Sequence, residues 1–370
     1  MRILQIASHL NVGGVTSHLL SLSHALAARG HQLIVASGGG QLESGAGTGG
    51  LTHWRAPLHT SVEFSPQVVS AGRQLAARLA QRPVDLLHAH TRVAQVVAER
   101  LSRAAGVPYV TTWHGFFRRN LGRRWWPCTG ELTIAISEPV RRHLLRDFHL
   151  PAERIRLIPH GIDPAPFETP ADPSAAQRLR ERARVATAGP LIGTVARLVA
   201  SKGVDQVIRS LPQVRASVPE AQLLVVGDGA MRPHLERLAA SLDVAEAVHF
   251  AGALSETRTA LSLMDVFVFL PAEQEGFGLS LLEAMASGRP IVAVRRGGGA
   301  SWVLDESDAG IMVEPQDPAG LAAAILRLLQ DGRSARQGGE RARAAVKARY
   351  TLERMVRQVE QVYEECVDNR

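Results

Sequence analysis

Apolar positions along the chain come in short continuous runs, separated by longer stretches in which they recur every three or four residues. Residues 3–7 are such a run. They are followed by 16–29, with apolar Leu19, Leu20, Leu22 and Leu26, and then by 32–36. Residues 84–87, 93–105, 109–112 and 132–136 continue the alternation. Apolar runs joined by helices of about 10–15 residues predict βαβ units and a parallel sheet covered on both faces. Two stretches interrupt the rhythm. Residues 38–50, seven glycines in thirteen, read as a flexible surface loop, and residues 116–127 as a basic, aromatic insertion. Five prolines from Pro159 to Pro173 place an inter-domain connection at about 161–173. The rhythm then restarts at 191–195, 204–211, 222–226, 233–241, 248–250, 266–270, 280–287 and 291–294. After a run at 310–313, helices are expected at about 319–329, 334–349 and 352–367, the last N-capped by Thr351. The fold class is therefore α/β, two doubly wound domains in tandem. A ligand is expected in the cleft at the carboxyl ends of their strands.

Composition narrows the class. The 370 residues are 45% hydrophobic and 21% charged, which argues against disorder and supplies ample material for two cores. No apolar run approaches the ~20 residues of a membrane span. Residues 1–10 read as a first strand, not a cleavable signal. Two cysteines, Cys128 and Cys366, supply neither a disulfide framework nor a zinc cluster, which points to a reducing, cytoplasmic compartment. Charge is unevenly placed. Residues 1–163 carry 18 Arg, no Lys and 9 acidic residues, a net of +9, whereas the remaining 207 carry a net of −2. The first half should meet something anionic: a nucleic acid, a phospholipid surface or a phosphorylated substrate. Lysine is a rare choice in this chain, for only Lys202 and Lys347 stand against 40 Arg.

Candidate chemistry is densest at residues 275–283, E-G-F-G-L-S-L-L-E. A buried strand ends at Pro271, and Gly276 and Gly278 allow a tight turn. A short helix follows from Ser280, stopped by Gly288 and Pro290. Such a turn aims the free N–H groups of Leu279 and Ser280 at a bound anion. Glu275 on the turn and Glu283 in the helix can reach one ligand from different sides; as plain turn residues they would simply be solvated. Gly13 and Gly14 break the chain before the helix at Thr16, as a phosphate-approaching loop or as a tight turn alone. His114 follows a strand and precedes Gly115, so it suits a hydroxyl partner or a satisfied structural histidine. His88 and His90 lie along another strand, and only His90, nearer its carboxyl end, is expected to face the cleft. His-x-His also suits a metal pair, but no third ligand cluster accompanies it and no D-x-D segment exists, so no metal is expected. The absence of G-x-G-x-x-G counts against a nicotinamide dehydrogenase.

The E-x7-E spacing, followed by a small-residue helix and G-R-P-I-V-A, resembles the signature of the family 4 retaining glycosyltransferases. Further segments match that family in the same order over nearly the whole chain. They are N-V-G-G-V (11–15), D-L-L-H-A-H (85–90), T-W-H-G (112–115), I-P-H-G-I-D (158–163), V-A-R-L-V-A-S-K-G (195–203), V-G-D-G (226–229) and F-A-G (250–252). The resemblance implies a GT-B architecture of two facing Rossmann-like domains. Residues 1–165 would form the acceptor domain, completed by 350–370, and 166–349 the nucleotide-sugar donor domain. It implies transfer of a hexose-type sugar from a UDP- or GDP-linked donor to a glycan or lipid-linked acceptor, in cell-envelope or exopolysaccharide synthesis, with no cofactor and no metal. Carried over one residue at a time, Arg197, Lys202, Gly14, Gly278, Leu279 and Ser280 would bind the diphosphate. Two cations suit a group that gains charge as its bond to sugar breaks, and lysine supplies a compact point charge. Glu283 would accept from the ribose hydroxyls, with Gly252 and Ala253 beside the ribose and base. Glu275 and His114 would be the catalytic groups. Glu275 would act by position and charge beside the sugar phosphate and not as a nucleophile, and His114 near the sugar's C6 or the acceptor. Gly13, His90 and Phe277 would lie on the sugar and acceptor side. Two departures stand out: His160 occupies the place of the family's usual Asn and is assigned only to the hinge, and residues 300–303 lack the glutamate that often follows the glycines.

Arg118, Arg119, Arg123 and Arg124, with Trp125 and Trp126, directly follow the His114 site beside Phe116 and Phe117. Arginine with interfacial aromatics suits an anionic phospholipid surface or a phosphorylated lipid acceptor, and hence a peripheral place on the inner face of the cytoplasmic membrane. A basic loop packed by its own aromatics is the other reading. Two competing functions share these features: a GT-B sugar-nucleotide epimerase, and a basic nucleic-acid-binding protein, which lacks a recognisable module here.

Overall fold

The apolar runs become the strands of two parallel sheets, one in each of two units. The computed structural model describes residues 1–117, 122–123, 126–272, 275–295 and 298–368. The units are Met1–Gly161 with Leu352–Arg370, and Ile162–Thr351. In the first, β1 (Arg2–Ile6), β2 (Gln32–Ser37), β3 (Thr52–Arg55), β4 (Leu86–Ala89), β5 (Tyr109–Trp113), β6 (Leu132–Ala135) and β7 (Ile155–Leu157) run in the order 3-2-1-4-5-6-7. Helices α1 (Gly14–Ala28), α2 (Pro66–Gln81), α3 (Arg92–Ala105) and α4 (Glu138–Asp147) lie between them in sequence. Both sheet faces are covered, which is why these strands are continuously apolar and do not alternate. One face gathers Val68 and Leu75 of α2 with Val93 and Val97 of α3. The other gathers Leu19, Leu22 and Leu26 of α1.

The second unit holds β8 (Leu191–Val195), β9 (Gln222–Val226), β10 (Val248–Gly252), β11 (Val266–Phe269), β12 (Ile291–Val294) and β13 (Gly310–Val313), in the order 10-9-8-11-12-13. Its helices are α5 (Ala165–Glu168), α6 (Pro173–Ala183), α7 (Val204–Ser217), α8 (Arg232–Ser241), α9 (Arg258–Leu263), α10 (Leu279–Ala286), α11 (Gly299–Ser307), α12 (Pro318–Gln330) and α13 (Gly332–Arg349). The last helix, α14 (Leu352–Asp368), belongs to the first unit. Its Met355, Val356, Val359, Val362, Tyr363 and Cys366 enter the α1 core. At about 1.5–3 kcal/mol for each fully buried large apolar side chain, that stripe holds the helix firmly in place. Both cysteines are free and buried. Among the described residues no helix is long and apolar enough to cross a membrane.

The glycine-rich stretch at 38–50 is built into the first unit and is not a flexible loop. It carries a 3-10 helix, Glu43–Gly47, and is sewn to the end of β1. Gly38 N–H donates to the Ser8 carbonyl at 3.1 Å, Leu10 N–H to Gly39 at 2.9 Å and Leu42 N–H to Leu10 at 2.8 Å. Close approach explains the glycines: a Cβ on Gly38 would lie 2.6 Å from the His59 nitrogen, and Gly39 sits at φ 84°.

Candidate active site

In the second sheet the strand order reverses between β8 and β11, where doubly wound sheets bind ligands. The loops leaving these two strands carry the cationic and acidic candidates. After β8 the chain makes a 3-10 turn, Ala200–Lys202, and Gly203 then starts α7 at φ 65°. A Cβ on Gly203 would lie 2.2 Å from the Leu270 carbonyl, so this loop is packed directly on the end of β11. That packing brings Lys202 Nζ into an ion pair with Glu275 Oε2, and the two side chains are only 17% and 23% exposed. Arg197, on the same loop, is exposed.

The Glu275 loop is held from below and ends in a helix start. Gly299 N–H, opening α11, donates to the Glu275 carbonyl at 3.0 Å. A Cβ on Gly299 would stand 1.9 Å from the Gly276 oxygen, so only glycine permits the approach. Gly278 caps α10 at φ 104°, with the Phe269 ring 2.6 Å from where a Cβ would be. Leu281 and Leu282 N–H close on its carbonyl, leaving Leu279 and Ser280 as the leading amides of the helix. Further along α10, Glu283 accepts a hydrogen bond from Thr257 Oγ at 2.8 Å, and burial pushes its carboxyl above the usual range. Gly252 ends β10 at φ 73° with no atom within 4 Å of a built Cβ, and Ala253 beside it is exposed.

Phe277 was expected on the sugar and acceptor side, and its side chain is buried. It is 1% exposed and packs edge-on against Trp302 and Tyr350, so the turn's aromatic is a core anchor. The helix there starts one residue earlier than the pattern predicts, at Leu279.

In the first unit, Gly13 is the N-cap of α1 and Gly14 its first residue, where the glycine pair was expected to precede the helix. A Cβ on Gly13 would meet nothing within 4 Å, so packing within the protein does not demand glycine there. His90 and His114 do come together, His90 Nδ1 lying 3.2 Å from His114 Nε2. They are not alone. The His18 ring centroid lies 4.4 Å from that of His160, 4.9 Å from His114 and 5.6 Å from His90, and His88 is 4.1 Å from His90. Two expectations change and a third is extended. Residues i and i+2 of a strand share a face, so His88 and His90 are both in the cluster. His160, assigned only to the hinge region, is also a buried member of it, one residue before the first unit's first segment ends at Gly161. The third imidazole that spacing did not supply comes from α1. One signal for it was present, since His18 is four and eight residues before Leu22 and Leu26 and so shares the buried face of the helix.

Hydrogen bonds rank these rings. His88 has both nitrogens engaged, Nδ1 with Tyr363 Oη at 2.6 Å and Nε2 with Thr112 Oγ at 2.7 Å. Gln5 Nε2 donates to the same Tyr363 oxygen, and Gln5 Oε1 faces His90 Nε2. His18 Nε2 and His114 Nδ1 are buried without a hydrogen-bond partner, each an uncompensated cost of about 1–3 kcal/mol. Burial disfavours the imidazolium throughout. It lowers His18 to about 3 and holds His88, His90, His114 and His160 well below the usual histidine range.

The basic segment is partly absorbed by packing. Arg123 pairs with Glu63 at 2.6 Å, which also holds the buried Arg92 at 2.9 Å. Trp126 stacks on Phe64 and lies under Arg100 and Arg103. These two half-buried residues therefore already have protein partners. Arg118, Arg119, Arg124 and Trp125 lie outside the described residues.

Comparison with known proteins gives a consistent picture. Residues 12–166 match Glycosyltransferase Family 4, and residues 189–331 match Glycosyl transferases group 1. The chain is similar to an uncharacterised glycosyltransferase of Methanocaldococcus jannaschii, 26% identical over 344 residues and 86% of each chain. It is 35% identical over 207 residues to the GDP-mannose-dependent monoacylated alpha-(1-6)-phosphatidylinositol monomannoside mannosyltransferase of Corynebacterium glutamicum, covering 54% of this chain and 53% of that one. Among solved structures, Anabaena HepE in complex with UDP-glucose superposes with a TM-score of 0.86 at 20% identity, over 99% of this chain and 100% of HepE. That last likeness shows the fold.

Proposed function

The chain belongs to the family 4 glycosyltransferases and has their GT-B fold, and from that premise we propose a retaining transfer of a hexose-type sugar from a UDP- or GDP-linked donor to a glycan or lipid-linked acceptor. The observation that carries this reading is the Lys202–Glu275 pair at the ends of β8 and β11, next to the leading amides of α10. A diphosphate set against those amides meets Lys202 and the exposed Arg197, cations already in place when the sugar–phosphate bond breaks and charge grows on the leaving group. Glu275 is committed to Lys202, which favours a positioning and electrostatic role over nucleophilic attack. In this scheme the leaving phosphate itself accepts the acceptor's proton, and no metal takes part in the transfer. Glu283 accepts from the ribose hydroxyls in place of Thr257, with Gly252 and Ala253 nearby. His114, braced by His90, meets a sugar or acceptor hydroxyl. The nucleotide preference draws support from two relatives, one GDP-mannose-dependent and one solved with UDP-glucose. A place in cell-envelope or exopolysaccharide synthesis, at an anionic membrane surface, draws support from the net +9 of residues 1–163.

The test is a thermal-shift panel of UDP- and GDP-sugars followed by turnover with candidate acceptors, reading the product anomer by NMR. A donor at 100 times its dissociation constant stabilises the fold by roughly 2.7 kcal/mol. Failure of every nucleotide sugar to stabilise the protein would overturn the reading. Epimerised donor formed without any acceptor would favour the epimerase instead.

A further inference from the structure

The imidazole cluster of the first unit has a geometry that sugar transfer does not require. We propose that His18, His90 and His114 form a binding site for a divalent transition-metal ion of the zinc type. One nitrogen from each of the three rings lies within 4.8 Å of the others. Some point is therefore within about 2.8 Å of all three, less than ~1 Å beyond a zinc–imidazole bond of about 2.0–2.1 Å. The His90 Nδ1 to His114 Nε2 separation of 3.2 Å already matches the edge of a tetrahedron with such bonds, about 3.3 Å.

The surroundings separate ligands from supports. Gln5 Oε1 can only accept, so His90 Nε2 carries the ring hydrogen and Nδ1 keeps a lone pair, which without an ion accepts from His114 Nε2–H and which a bound ion would take over as that proton leaves. Gln5 is in turn held by Tyr363, and Tyr363 by His88. This is the outer ring of hydrogen bonds that orients a metal-bound imidazole and sets its tautomer. His88 has both nitrogens occupied and stands behind the site. His18 offers a buried nitrogen, Nε2, with no hydrogen-bond partner, on a ring that puts one of its nitrogens within 4.8 Å of one from each of the other two. Three neutral nitrogens and no carboxylate select zinc, cobalt, nickel or copper over magnesium or calcium, and they leave a fourth position for water or a ligand group.

The inference needs only the first unit and does not depend on the transferase reading. Untagged protein stripped with chelator is titrated with Co²⁺ and followed by visible absorption and by bound metal per chain after dialysis. The expected result is one Co²⁺ per chain with the intense bands of low-coordinate cobalt, displaced by Zn²⁺ and indifferent to Mg²⁺. His18→Ala should weaken binding at least a hundredfold, and Gln5→Leu 10–100-fold as an outer partner. Exposed His9 and His59, 5.7 Å apart, are the rival site, so His59→Ala should bind as wild type does. Absence of cobalt bands in wild-type protein overturns the proposal, with no need for the variants to fold. So does binding that survives His18→Ala, or binding lost in His59→Ala.

Discussion

Lys202→Ala tests the centre of the proposed mechanism, and its cost can be worked from the contacts of the side chain. Lys202 and Glu275 have both lost most of their water, at 17% and 23% exposure, and each is the other's counter-charge. Removing the ammonium deletes a preorganised electrostatic group, which typically costs about 2.7–4 kcal/mol, or 10²–10³ in kcat. It also strands the Glu275 carboxylate beside the site of an incoming diphosphate. Like charges about 4 Å apart repel by about 4 kcal/mol at an effective dielectric of 20. Part of the damage should therefore be relieved by Glu275→Gln in the same chain. Contacting residues couple by about 0.5–3 kcal/mol, so the double variant should be faster than the product of the two single effects predicts. The assay is steady-state kinetics on all four proteins at saturating donor, with circular dichroism to show that the fold is kept. Lys202→Arg should rescue only in part, because a planar guanidinium does not reproduce a compact ammonium on a tight 3-10 turn. Wild-type turnover in Lys202→Ala would refute the assignment. Strict additivity, within about 0.3–0.5 kcal/mol, would show that the pair does not act as a unit.

The remaining predictions reach other parts of the molecule. Glu283→Gln should raise the donor KM more than it lowers kcat, since ribose contacts are made equally in ground and transition states; a pure kcat defect would exchange its role with that of Glu275. Tyr363→Phe should cost about 1–3 kcal/mol in urea unfolding by leaving Gln5 and His88 without their shared hydroxyl, and an unchanged midpoint would remove the network from the stability account. Acidification should destabilise the metal-free protein above the range where carboxylates titrate. The unfolded chain takes up protons below about pH 6.5 whereas buried His18 does so only near 3, so stability falls by up to about 1.4 kcal/mol per pH unit per such histidine; a flat urea midpoint from pH 7 to 5 would contradict this.

What was legible in the sequence, and what was not, follows from how far apart the interacting residues lie. The parallel sheets were readable because each βαβ unit writes its own period, and the chain's restart after the prolines at 159–173 separated two such series. The Glu275–Glu283 turn was readable because its geometry is local: a strand end, Gly278 at positive φ and a helix start place their amides with little help from elsewhere. The packing of the Phe277 side chain was not legible, for the complementary reason. Its neighbours in sequence are glycines, but its neighbours in space are Trp302 on α11 and Tyr350 at the end of α13, which no local pattern announces. Residues 38–50 misled similarly, because glycine permits both disorder and close packing, and only the backbone of residues 8–10 decides between them.

The histidine cluster is the extreme case. It draws on α1, β4, the end of β5 and the segment after β7, so its members are spread from residue 18 to residue 160. No period joins them. What joins them is the sheet order, which sets β1 beside β4 and β4 beside β5 and so lets their carboxyl ends share one volume. A single imidazole on an apolar helix face reads as a core residue, and that reading of His18 is correct as far as it goes. Its further meaning lies in the company it keeps: two neighbours whose nitrogens point inward, and an outer pair, Gln5 and Tyr363, contributed by the first strand and the last helix. A core needing only to be filled would place leucine at these positions. Two buried nitrogens without a hydrogen-bond partner, on His18 and His114, incur a cost that apolar packing would avoid, and a cation held by His18, His90 and His114 is what would offset it.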